Sequence, residues 1–294
     1  MSTAAATLAP DFVDRILRAA DTPAGGALPQ EAEELVDTLL FALERGEVRA
    51  ADRDAEGRWN AVPLVKRGIL LGFRVGRLED MSVGNGGSSL PFFDKHTYPV
   101  QRFDVTRGIR IVPGGSSVRR GAYVASGVVC MPPMYVNVGA WIGSGTMVDS
   151  HALVGSCAQI GERVHLSAAA QIGGVLEPVN AAPVVIEDDV LVGGNCGVYE
   201  GTIVRAGAVL APGTILTRGT PVFDLVNGTT VRATADTPLI IPANAVVVPG
   251  SRAVAKGKGH ENSETWGLSL YAPVIVKYRD EKTDLSTALE ELLR

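Results

Sequence analysis

From Val112 onward, every sixth residue is aliphatic. The positions are Val112, Val118, Val124, Cys130, Val136, Ile142, Val148, Val154, Ile160, Leu166 and Ile172. After one long insertion they resume at Ile186, Val192, Val198, Val204, Leu210, Leu216 and Val222. Seventeen of these eighteen are Val, Ile or Leu, and Cys130 is itself small and apolar. The fifth position of each hexad is small or β-branched almost throughout, as at Ala122, Val128, Ala140, Thr146, Ala152 and Ala158. A period of six is neither the 3.6 of a helix nor the 2 of a simple strand. It fits a chain that turns a corner every six residues. The two restricted positions lie two apart, so in extended backbone both face inward. Three hexads close one triangular coil, and stacked coils bury a continuous core. Eighteen hexads give about six coils, a prism roughly 30 Å long at ordinary strand spacing.

Hexapeptide repeats of this kind are known from left-handed parallel β-helices, an exception to the right-handed crossover rule. The expected fold is therefore mostly β. A left-handed parallel β-helix is placed over residues 109–250, an N-terminal α/β domain over 1–108, and a small C-terminal extension over 251–294. Helices are predicted over 10–20, 29–45 and 63–77. The middle one carries an apolar stripe (Leu35, Val36, Leu39, Leu40, Leu43) and ends at Gly46. A hairpin around the polar DAEG stretch is expected over 48–62, and the whole unit is expected to cap one end of the prism. SVGNGGSSLPFFDKH reads as a linker or surface loop. The insertion between Ile172 and Ile186 adds eight residues to a hexad. In solenoids such insertions emerge on one face, often the binding face. Asn227-Gly228 signals a hairpin, and Ile241 with Val247 suggests one last turn of the repeat. The run 253–267 is polar and is read as flexible, followed by a strand over 268–278 and a helix over 285–293.

Net charge is −5, from 27 basic and 32 acidic residues. That argues against nucleic-acid binding, which needs a basic face. Apolar runs are too short to span a membrane, and the start carries no basic segment of a secretory signal. Cys130, Cys157 and Cys196 have no metal-ligand spacing, and a reducing cytoplasm is the expected compartment. His96, His151, His165 and His260 offer no zinc triad, since His151 and His165 are fourteen apart rather than a full coil. No metal is therefore expected.

The local sequence narrows the function. Residues 109–178, which include GTMVD, VGSCAQIG and IGGVLEP, closely resemble the tetrahydrodipicolinate N-succinyltransferase family of lysine and diaminopimelate biosynthesis. So do IEDDVLVGGNCGVYEGTIVRAGAVLAPGT (186–214) and SLYAPVIVKYRDEKT (269–283), with a weaker likeness in LERGEVRAA and FFDK. The resemblance implies succinyl transfer from succinyl-CoA, as co-substrate, to the amine of ring-opened tetrahydrodipicolinate. The product would be N-succinyl-2-amino-6-oxopimelate. It also implies a homotrimer with its sites between subunits. The alternative is another CoA-dependent N- or O-acyltransferase on the same scaffold.

By motif, Asp149 is the family's substrate-binding acid and the candidate to orient and deprotonate the amine. On residue type alone, a turn aspartate bonding its own backbone is the plainer reading. Arg110 matches the family's substrate arginine and suits a carboxylate; by itself it is an exposed charge at a strand start. Gly173 and Gly174 offer backbone amides to the thioester oxyanion, or simply permit tight turns. Ser167 and the insertion are candidate pantetheine contacts. Lys256, Lys258 and Arg205 are candidate cations for CoA phosphates. Two departures stand out. His151 replaces a frequent Trp, and Gly197 replaces a frequent Glu considered catalytic in the family. His151 and Glu200 are the alternative bases. Cys157 has no adjacent base, so direct transfer is favoured over a covalent acyl-enzyme.

Overall fold

A computed structural model describes residues 8–83, 91–254 and 260–279. Its centre is a triangular coil of three parallel walls. The first wall stacks Arg110–Ile111, Val129–Cys130, Met147–Val148, His165–Leu166, Leu191–Val192 and Val209–Leu210, and ends on Ala245–Val248. The second stacks Ser117–Val118, Tyr135–Val136, Leu153–Val154, Gln171–Ile172, Gly197–Val198 and Ile215–Leu216. The third stacks Tyr123–Val124, Trp141–Ile142, Gln159–Ile160, Val185–Ile186, Ile203–Val204 and Ile240–Ile241. Partners in a wall are one coil apart, as in Trp141↔Gln159 and Met147↔His165. Across the insertion the pairing becomes Gln159↔Val185, so the eight extra residues leave the prism without breaking its ladder.

The hexad aliphatics from Val118 to Leu216 are buried and form one cluster, with Ala122, Val128, Ala140, Ala152, Ala158 and their equivalents beneath the corners. Each fully buried Val, Leu or Ile contributes about 1.5–3 kcal/mol. Three residues after each core aliphatic the chain repeatedly enters the left-handed region. Glycine holds that place at 121, 139 and 145, but His151, Cys157, Arg163 and Asn195 hold it elsewhere with φ between 53° and 64°. This is what turns the corner.

Two ends of the repeat depart from expectation. Ile111, not Val112, pairs with Cys130. One extra residue is taken up between Ile111 and Val118, where Gly114 and Gly115 have φ of 143° and 90°. Val112 is only half-buried, and Ile109 packs on the core instead. Val222 is buried but is not a coil strand. The third wall passes from Ile203–Val204 to Ile240–Ile241. Pro221 falls where Trp141, Gln159 and Ile203 donate ladder N–H groups, and proline has none to donate. Val222–Asp224 instead pairs with Thr229–Val231 through the Asn227-Gly228 turn, and with Val274–Tyr278. Ile241 and Val247 do complete a last turn, beside Val204 and Leu210.

The three helices are Pro10–Ala20, Ala32–Glu44 and Pro63–Val75, and the hairpin pairs Ala51–Arg53 with Trp59–Ala61. They form their own core with Ile16, Leu39, Leu40 and Ile69. This unit does not cap the prism's end; it lies lengthwise along the edge between the second and third walls. Leu40 meets Gly121, Ile69 meets Gly139, and Lys66 reaches Ala181, so contacts span successive coils. The apolar face needed a long partner, and Val138 and Cys157 on the coil's edge supply one.

Part of the glycine-rich stretch is structured: Phe93–Lys95 pairs with Leu78–Asp80. The strand expected over 268–278 is two, Ser269–Tyr271 and Val274–Tyr278, separated at Pro273. The run read as flexible begins on the last residue of the strand Ser251–Ala253 and contains a short helix, His260–Thr265. The helix expected over 285–293 lies outside the described residues. Among the described residues no helix is long and apolar enough to cross a membrane.

Candidate active site

The walls sort the candidate residues onto different edges. Asp149 follows Val148 directly, at the corner between the first and second walls. Its N–H donates to Leu166 O, at 2.9 Å. Its Oδ1 accepts the Ser150 N–H at 2.7 Å, so within one chain it does act as a turn aspartate. Ser167 occupies the equivalent place one coil on, and its N–H donates to Val192 O, at 2.9 Å. Arg110 is exposed on the same first wall, two strands before Met147. Asp149 and Ser167 share one corner, and Arg110 lies on the adjoining face of the first wall, in line with Val129 and Met147. His151 is exposed on that corner, with φ of 62° and its N–H on Pro133 O at 2.5 Å.

Gly173, Gly174 and Glu200 lie on the next edge, between the second and third walls. Gly174 packs so closely that a Cβ on Gly155 would meet its nitrogen at 2.2 Å. The Gly173 N–H is spent on Val198 O at 2.8 Å, which corrects its assignment as an oxyanion donor. A donating amide there would have to leave the ladder. Glu200 Oε2 accepts the Arg218 N–H at 2.9 Å. These residues, the insertion and the tip of the Trp59–Ala61 strand enclose a cleft of about 970 Å³. Tyr199 lies in it, above Gly197, and had no signal in the sequence beyond its place two residues after a glycine.

Arg205 belongs to the third edge, away from both groups. It donates to Glu187 Oε1 at 2.8 Å and also reaches Gly57 O. Glu187 is nearly buried and also accepts from Arg53 and, at 3.0 Å, from Trp59 Nε1. Burial opposes its ionisation, but the Trp59 and Arg53 hydrogen bonds and the two guanidinium charges hold its carboxyl below the usual range. Arg205 thus shares the single Glu187 carboxylate with Arg53 and is held at this edge. Lys256 and Lys258 lie outside the described residues. Cys157 is wholly buried and its thiol is pushed up to about 12 by that burial, so it supplies no thiolate.

One wall thus separates an acid-bearing ridge from a glycine-lined cleft. A coil whose strands repeat in this register is a hexapeptide-repeat protein, and residues 183–218 match the family model described as hexapeptide repeat of succinyl-transferase. Residues 14–75 match tetrahydrodipicolinate N-succinyltransferase N-terminal. Over 269 residues the chain is 45% identical to 2,3,4,5-tetrahydropyridine-2,6-dicarboxylate N-succinyltransferase of Nitrobacter hamburgensis, covering 90% of each. It is 40% identical over 270 residues to the enzyme so named from Polynucleobacter asymbioticus, covering 90% of this chain and 91% of that one. A solved Campylobacter jejuni chain of similar name aligns with a TM-score of 0.49 and 14% identity, over 86% of this chain and 64% of that one. The chain belongs to the tetrahydrodipicolinate N-succinyltransferase family.

Proposed function

We propose that this protein transfers the succinyl group of succinyl-CoA to the amine of ring-opened tetrahydrodipicolinate. The products are N-succinyl-2-amino-6-oxopimelate and CoA. The observation that carries this reading is identity of 40–45% over nine-tenths of the chain with enzymes named for that transfer.

The chemistry follows from the edges. The amine must lose a proton to attack, and Asp149 is the group placed to orient it and take the proton. Arg110 on the adjoining wall pairs with a substrate carboxylate. The thioester enters the cleft beside Gly174 and the insertion, with Ser167 and residues 173–182 along the pantetheine. Asp149 and Gly155 are six residues apart along one wall, so the two edges are separated by on the order of 15–20 Å. One chain does not close that distance, so a neighbour supplies the second half. The assembly we infer is a homotrimer of left-handed coils, in which the ridge of one copy faces the cleft of the next. Residues 1–108, 109–250 and 251–294 are taken as its three units. Three buried thiols and no disulfide among the described residues support a cytoplasmic enzyme.

The test is release of CoA thiol. Full release is expected with succinyl-CoA and tetrahydrodipicolinate together, weak release with acetyl-CoA in place of succinyl-CoA, and none with either substrate alone. No release with any acyl-CoA and this amine overturns the reading; brisk release with acetyl-CoA alone as donor assigns a different acyltransferase.

A further inference from the structure

Gly197 faces outward on the second wall, between Gln171 and Ile215. A Cβ there would stand 2.5 Å from Cε2 of Tyr199, and 2.9 Å from its Cζ and its hydroxyl oxygen. The same ring covers Gly173, where a Cβ would be 2.8 Å from Tyr199 Cδ1. Tyr199 is therefore folded back across the wall over two glycines. Its hydroxyl stands where a side chain at 197 would begin, and the absence of one is what lets it lie there. Among the described residues none is hydrogen-bonded to this hydroxyl, although the ring is half-buried and lines the cleft. The hydroxyl is not sealed inside the protein and is open to a ligand in the cleft. The Gly173 N–H beneath the ring is engaged with Val198 O and does not point into the cleft.

We propose that the Tyr199 hydroxyl is a catalytic residue that donates a hydrogen bond to the thioester oxygen of the bound acyl-CoA. This rests on the succinyl-transfer reading above. The amine lone pair forms the C–N bond, and the carbonyl π pair moves onto oxygen. Tyr199 O–H, aimed at that oxygen, stabilises the charge as it develops. The pair then returns, the C–S bond breaks, and CoA leaves as thiolate. The amine proton passes to the base, and the phenol keeps its own proton throughout.

The test compares Tyr199→Phe and Gly197→Ala with the wild type in the thiol-release assay. Losing one oxyanion donor costs about 100-fold in kcat. Tyr199→Phe is expected to show that loss, with KM for succinyl-CoA within about threefold and an unshifted pH profile, since it removes no base. Gly197→Ala forces the ring off the wall and is expected to lose kcat in the same way. If Gly197→Ala does not fold, Tyr199→Phe decides alone, because it leaves the ring's packing in place. A wild type that turns over while Tyr199→Phe keeps its kcat within about threefold overturns this inference alone. A wild type silent with both substrates overturns the functional reading and this inference with it.

Discussion

The side-chain amine of Lys66 and the carbonyl of Ala181 meet at 2.6 Å, with Lys66 wholly out of solvent. One hydrogen bond thus ties the third helix to the insertion that lines the cleft. Burial lowers the Lys66 pKa from its ordinary 10.5. Between that lowered folded value and 10.5, the unfolded chain binds a proton the folded chain has lost, so stability rises with pH there. Below the folded value both states carry the proton, and the cost of burying the charge is felt in full. Lys66→Met should flatten this rise, read as urea midpoints at several alkaline pH values. It should also speed hydrogen exchange at the Ala181 amide, which now bonds Pro178 O. Unchanged exchange at Ala181 would contradict the tether.

Glu187 gathers Arg53, Trp59 and Arg205, and so clamps the hairpin to the coil. Its carboxyl is depressed, so the stability it contributes is present above its unfolded value of 4.5 and is lost as pH falls through the folded one. Glu187→Gln should cost about 2 kcal/mol. That is less than the 3–5 typical of fully buried pairs, because Arg53 is half-exposed. It should also blunt the acid limb of a stability profile. An acid limb identical to that of the wild type would argue against the clamp.

Gly139 has φ of 75°, and a Cβ on it would stand 2.8 Å from Ile69 Cδ1 and 2.9 Å from Cys157 Sγ. Gly139→Ala should destabilise by about 1–3 kcal/mol through overpacking between helix and coil. Thermal unfolding measures it. A midpoint equal to the wild type's would place the helical unit elsewhere than along this edge.

Much of the coil was legible because a six-residue period is imposed by geometry. Val148, Ile160 and Ile172 have one place to go, and the sequence spacing names it. The helices followed from Leu35, Leu39 and Leu40 in the same way. The shift at Val112 and the exit at Val222 were hidden because each still carried an aliphatic residue. What moved the chain was Gly114-Gly115 in one case and Pro221 in the other. The side-on seat of the helices was not legible either, since the residues that receive them, Gly121, Gly139 and Cys157, read as ordinary corner residues. At the site, Asp149 is proposed on its motif alone. That Arg205 is already bound to Glu187 depends on a partner eighteen residues away, and the ring of Tyr199 over Gly197 depends on a rotamer. The first pair lies one full coil apart, so the eighteen-residue period held its signal; the second leaves no trace in linear spacing.

The most direct measurement is a mixing experiment on the two edges. Asp149→Ala removes the acid of the ridge, and Asn180→Trp, at an exposed insertion residue lining the cleft, plugs the other half. Each variant alone should be inactive in the thiol-release assay. Co-expressed in equal amounts, they should recover about a quarter of wild-type turnover, because random trimers join two intact halves at one interface in four. A mixture no more active than its separate components would contradict a site shared between neighbouring copies.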